Sequence, residues 1–68
     1  MPQLAENTER ILIFIPAYNE EGAIRNVVTG VRLAMPQADV LVIDDGSVDH
    51  TSAAALAGGA TVVRHPFN

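Results

Sequence analysis

The stretch Ile11-Leu12-Ile13-Phe14-Ile15-Pro16-Ala17-Tyr18-Asn19-Glu20-Glu21 joins an apolar run to a polar, acidic turn. It opens with five apolar residues, three of them β-branched, a composition that suits a parallel strand covered on both faces. A tyrosine, an amide and two carboxylates then arrive together where the strand hands over to a helix. In open α/β sheets, ligands sit at such carboxyl ends. Downstream, Val40-Leu41-Val42-Ile43 runs into Asp44-Asp45-Gly46-Ser47 in the same way, an apolar run delivering acids into a turn. Two such edges, one βα unit apart, are expected to line two sides of one crevice.

Strand 1 is expected over about Arg10 to Ile15 and stopped by Pro16, which donates no ladder hydrogen bond. Asn19 is a good N-cap, and Glu20 and Glu21 would then occupy the first turn of the helix, where carboxylates suit its dipole. Ile24, Val27, Val28, Val31 and Ala34 share a face at helical spacing, and Pro36 ends the helix at Met35. Strand 2 is expected over Asp39 to Asp44, with Gly46 in the turn and Ser47 or Asp49 capping a second helix from His50 to Ala57. Gly58-Gly59 closes that helix. Ala60 to Val63 forms strand 3, and Arg64 to Asn68 leaves the sheet as loop.

The expected fold is therefore α/β: a three-stranded parallel, Rossmann-like β-α-β-α-β half-domain with strand order 3-2-1 and right-handed crossovers. Residues 1–9 read as a flexible leader, and residues 10–68 as the incomplete domain. A doubly wound sheet forms its crevice between strand 1 and a fourth strand, which this chain does not reach. The outer edge of strand 1 is thus expected to be free and to pair with a second copy, giving a homo-oligomer.

Composition narrows the function. With net charge −4 and Arg10, Arg25, Arg32 and Arg64 scattered as the only basic residues besides histidine, the concentrated positive patch that nucleic acid requires is missing. Cysteine is absent, which removes disulfides and thiolate metal sites. No apolar run approaches the roughly 20 residues of a membrane span, and residues 1–9 lack a signal-peptide pattern, so a cytoplasmic location, or the cytoplasmic face of a membrane, is expected.

The strand-1 loop has no glycine-rich phosphate cradle, and Glu20 and Glu21 would repel a diphosphate at the helix start. A nucleotide gripped here would be gripped by its uncharged nucleoside end. Tyr18 can stack on a base or ribose, or simply cover the end of the core. Pro16 and Ala17 can line the approach, or only terminate the strand. Asp44 and Asp45 accept hydrogen bonds, which suits the ring N–H of uracil or guanine, or else they belong to an acidic turn. Ser47 and Asp49 suit helix caps better than ligand contacts. His50 and His65 have no partners at metal-ligand spacing.

Taken together, Ile15-Pro16-Ala17-Tyr18-Asn19-Glu20-Glu21 and Val42-Ile43-Asp44-Asp45-Gly46-Ser47-Val48-Asp49-His50-Thr51 resemble the N-terminal half of family 2 glycosyltransferases of GT-A fold. The likeness leans towards the dolichyl- or polyprenyl-phosphate mannosyl- and glucosyltransferases. It implies a nucleotide-sugar-binding segment in which Pro16, Ala17, Tyr18 and Glu20 line the nucleoside site. Asp44 would contact the base, with Asp45 close by and Gly46 and Ser47 shaping the turn. It further implies a UDP- or GDP-sugar donor, an acceptor left open with a polyprenyl phosphate as one candidate, and Mg2+ or Mn2+ held by residues outside this chain. No catalytic residue falls within the chain, so the chain alone is expected to be inactive. The alternative is a non-catalytic, self-associating module that keeps the half-fold.

Overall fold

The computed structural model describes residues 10–66; the expected leader, residues 1–9, lies outside them. Element order is β1 (Leu12–Ala17), α1 (Ile24–Ala34), β2 (Asp39–Asp45), α2 (Thr51–Gly58) and β3 (Thr61–His65). The strands form one parallel sheet in the order β1-β2-β3, which is the expected 3-2-1 arrangement read from the other side.

Both crossovers step in the same direction, and with right-handed connections this puts both helices on one face of the sheet. Burial alternates accordingly. Val40, Val42 and Asp44 of β2 are buried beneath the helices, with Ile15 of β1 and Val62 of β3 packed against the same core. Ile24 and Val28 of α1 and Ala55 of α2 complete it. Val27, which helical spacing placed on the inner face, is exposed.

The opposite face stays open among the described residues. Leu12, Phe14 and Val63 are each about half exposed there, Phe14 by 58%. The expectation that strand 1 is covered on both faces is thus not met by the described residues. With only two helices, both directed to one side by handedness, nothing described reaches the other.

Several boundaries also differ from expectation: β1 begins at Leu12 rather than Arg10, β2 runs on to Asp45, and α2 spans Thr51–Gly58, one residue later than expected. β1 continues through Pro16 to Ala17 in register with Ile43 and Asp44. A proline is tolerated on a strand with a single neighbour, since half of its backbone groups face away from the ladder. β3 extends to His65, so Arg64 and His65 belong to the sheet rather than to a loop, opposite Asp44 and Asp45 respectively.

α2 ends as the glycine pair dictates. Gly59 adopts φ +104°, and the N–H groups of Gly59 and Ala60 return to the carbonyls of Leu56 and Ala55, satisfying the helix end. Gly58 has a different task. A Cβ there would lie 2.9 Å from the Arg25 carbonyl oxygen and 3.0 Å from Val28 Cβ, so its bare Cα sets how closely α2 approaches α1. Among the described residues, no helix is long and apolar enough to cross a membrane.

These glycines make a paired prediction. Gly58→Ala should lower stability by about 1–3 kcal/mol through overpacking. Gly30→Ala, in α1 with nothing within 4 Å of the added Cβ, should raise it by about 0.5–1 kcal/mol. Urea denaturation of both variants checks this, and equal effects of the two would contradict the close helix approach.

Candidate functional site

Because β1 and β2 are adjacent and parallel, with Ala17 in register with Asp44, the loops that follow them emerge side by side at the carboxyl edge. Each loop satisfies the other's backbone. Asn19 takes a left-handed φ of 51°, a region asparagine enters more readily than most residues. Its N–H donates to Ser47 Oγ at 2.8 Å, and its Oδ1 accepts the Val48 N–H at 3.0 Å. The Glu20 N–H donates to Thr51 Oγ1 at 2.8 Å, and the Glu21 N–H to Asp49 Oδ2 at 3.3 Å. In return, Glu21 Oε1 accepts the His50 N–H at 2.9 Å.

This interlock replaces the local capping expected from the sequence. Asn19 is spent on the neighbouring loop, so α1 begins only at Ile24, with the Glu20 carbonyl accepting the N–H groups of Ala23 and Ile24. Asp49 does serve the start of α2, its Oδ1 accepting the Thr51 N–H at 3.0 Å as well as the Thr51 hydroxyl. Those hydrogen bonds, that from the Thr51 hydroxyl foremost, hold the Asp49 carboxyl below its ordinary range. One consequence is chemical. The N–H groups of Asn19, Glu20 and Glu21 are engaged, so none is left to cradle a phosphate.

The two aspartates of β2 have opposite fates because successive strand side chains alternate between faces. Asp44 points under the helices and is 0% exposed. Its Oδ1 accepts the Ser47 N–H at 3.0 Å, while Oδ2 accepts the Ser52 hydroxyl and Arg64 Nη1–H, the latter at 3.0 Å. Arg64 Nη2 also donates to the Ser47 carbonyl at 2.6 Å. Burial works to raise the Asp44 pKa, but the Ser47 and Ser52 hydrogen bonds and the Arg64 charge together hold it below the ordinary aspartate value. The carboxylate is therefore charged at neutral pH, with both oxygens turned inward.

Asp45 lies on the open face, exposed, with Oδ1 3.1 Å from His65 Nδ1. Tyr18 is 48% exposed, and Pro16 and Glu20 are exposed along the same carboxyl edge. Ala17 and Ser47 are buried, and Gly46 makes its turn at φ 76°. The residues singled out from the sequence thus separate into an outward group (Pro16, Tyr18, Glu20, Asp45) and an inward group (Ala17, Asp44, Ser47). Asn19 as a cross-loop tie, Thr51, Ser52 and Arg64 were not anticipated. Arg64 was legible in principle, since it stands two residues after Val62 and so on the same strand face.

A cavity of about 360 Å3 lies at the other end of the sheet, lined by Arg10, Leu12, Arg32, Asp39, Gly59 and Thr61. Its Arg10 is paired with Asp39, and none of the residues singled out above lines it. Among the described residues, no three His, Asp or Glu side chains converge as a divalent cation requires. The residues present do not fit the metal that the resemblance implies.

The profile of glycosyl transferase family 2 matches residues 12–68. Polyprenol monophosphomannose synthase of Mycolicibacterium smegmatis is 44% identical over 54 residues, covering 79% of this chain and 20% of that protein. Protein RfbJ of Shigella flexneri is 40% identical over 57 residues, covering 84% of this chain and 44% of that protein. The crystal structure of M. tuberculosis glucosyl-3-phosphoglycerate synthase superposes with a TM-score of 0.76 at 34% identity, over 88% of this chain and 23% of that one. The same synthase bound to Mn2+, UDP-glucose and glycerol 3-phosphate gives a TM-score of 0.74. The chain thus spans less than half the length of these relatives.

The depressed Asp44 pKa carries a pH prediction. An unfolded chain takes up this proton first as pH falls, so the carboxylate's contribution is complete above about pH 4 and is lost as pH drops through the lower folded value. Asp44→Asn should cost about 2 kcal/mol at pH 7 and flatten the acid limb of stability. Urea melts between pH 7 and pH 2 test it, and an unchanged acid limb would contradict the assignment.

Proposed function

The chain belongs to glycosyl transferase family 2, and from that premise we propose that its carboxyl edge holds the nucleoside of a UDP- or GDP-sugar donor within a larger glycosyltransferase. The observation that carries this reading is the interlock of the two loops. It uses up the backbone donors of Asn19 to Glu21 and leaves Tyr18, Glu20, Pro16 and Asp45 facing outward. Such an edge suits a stacked, hydrogen-bonding base and ribose, and it is unsuited to a diphosphate.

Within this reading, Tyr18 stacks on the base or ribose, Glu20 accepts ribose hydroxyls, and Pro16 gives an apolar approach. We assign the base contact to Asp45. Asp44 is buried, with both oxygens hydrogen-bonded inside the fold, so it holds the turn of Gly46 and Ser47 in place. A carboxylate only accepts, so Asp45 selects the ring N–H of uracil or guanine over cytosine, which offers an acceptor there. The synthase noted above was solved with Mn2+ and UDP-glucose, which supports a nucleotide-sugar donor and a divalent metal in the parent enzyme. The relation to a polyprenol monophosphomannose synthase supports a polyprenyl phosphate as acceptor. No reaction step is assigned to the described residues, and the chain alone is expected to transfer no sugar.

Calorimetric titration tests the site. UDP and GDP should bind more tightly than CDP, and Tyr18→Ala should weaken all of them by roughly 5- to 50-fold, the loss of one stacking platform. Equal affinity for CDP would refute the role given to Asp45.

A second reading is favoured by the open sheet face bearing Leu12, Phe14 and Val63 beside the edge of β1 that has no partner strand among the described residues. Here the chain is a non-catalytic module that assembles through this surface. Sedimentation decides: assembly predicts a concentration-dependent dimer, and a monomer at high concentration rules it out.

A further inference from the structure

Resting on the nucleotide reading above, we propose that His65 sets base selectivity by holding Asp45 in the orientation that leaves one carboxylate oxygen free for a base N–H. Asp45 and His65 occupy paired positions on β2 and β3, so their side chains emerge from the same, open face of the sheet. His65 Nδ1 lies 3.1 Å from Asp45 Oδ1. Since a carboxylate cannot donate, Nδ1 carries the hydrogen in this contact. Among the described residues, Oδ2 has no hydrogen-bond partner.

The geometry matters because Asp45 is exposed and ends its strand, where an unrestrained carboxylate samples several rotamers. A ligand would then have to order it, at a cost set against every hydrogen bond gained. The histidine removes that cost beforehand. It occupies Oδ1 and leaves Oδ2 as the remaining acceptor. The neighbouring side-chain pair of these strands, Asp44 with Arg64, belongs to the covered face and does not compete for this oxygen. His65 is thus a positioning residue, and its effect should appear only with bases that present an N–H.

The test measures binding of UDP, GDP and CDP to the protein and to Asp45→Ala, His65→Ala and His65→Asn. The asparagine amide can place a donor near the position of Nδ1. His65→Ala should weaken UDP and GDP roughly 3- to 10-fold, the size of one hydrogen bond, and leave CDP unchanged. His65→Asn should restore most of the preference, and Asp45→Ala should abolish it. If Asp45→Ala abolishes the preference while His65→Ala keeps it, the role of His65 is overturned and the nucleotide site stands. If the protein shows no preference, or Asp45→Ala retains it, both fall. Thermal unfolding of the exposed His65 variants should match that of the parent, which separates lost selectivity from lost fold.

Discussion

The buried Asp44 carboxylate is the constraint on which the carboxyl edge depends. A charge without access to water is sustained only by hydrogen bonds and an opposite charge, and here the Ser47 backbone, the Ser52 hydroxyl and the Arg64 guanidinium supply three hydrogen bonds across its two oxygens. Each partner comes from a different piece of structure: the turn after β2, the first turn of α2, and β3. One side chain therefore fixes the turn relative to a helix and a strand. Ser47, placed in this way, offers its Oγ to the Asn19 N–H, and the second loop is docked onto the first. The outward residues inherit their positions from this inward network.

The same alternation that buries Asp44 exposes Asp45. Two adjacent carboxylates on a strand cannot share a face, so one is buried under the helices and its neighbour is exposed on the open side. This divides the acidic pair without any difference in residue type. It also explains why the helix-covered face carries the ion pair Asp44–Arg64 while the open face carries the exposed contact Asp45–His65. The sheet thus turns two successive register positions, Asp44 with Arg64 and Asp45 with His65, to opposite faces.

Much of this was legible in the sequence. The runs Ile11 to Ile15 and Val40 to Ile43 marked parallel strands, Gly58-Gly59 marked the end of α2, and the connection lengths gave the strand order. Legibility failed where long-range partners override local preference. Asn19 has the chemistry of an N-cap, but its side chain is captured by Val48 from the other loop. Pro16 reads as a strand terminator, yet a strand with one neighbour tolerates it. Arg64 reads as loop until the β2–β3 register sets it opposite Asp44. Which aspartate faces outward depends on which side of the sheet the helices occupy, and that is a property of the crossovers rather than of the motif itself.

Backbone amide mapping by NMR during titration with UDP tests the account most directly. The shifts of Tyr18, Asp45 and His65 should change, while the amides of Asn19, Glu20 and Val48 should stay protected from solvent exchange because they bind the opposite loop throughout. Shifts clustered at Arg10, Arg32 and Gly59, at the amino end of the sheet, would contradict the account. So would loss of protection at Asn19 and Glu20 in the free protein, since the interlock would then not exist.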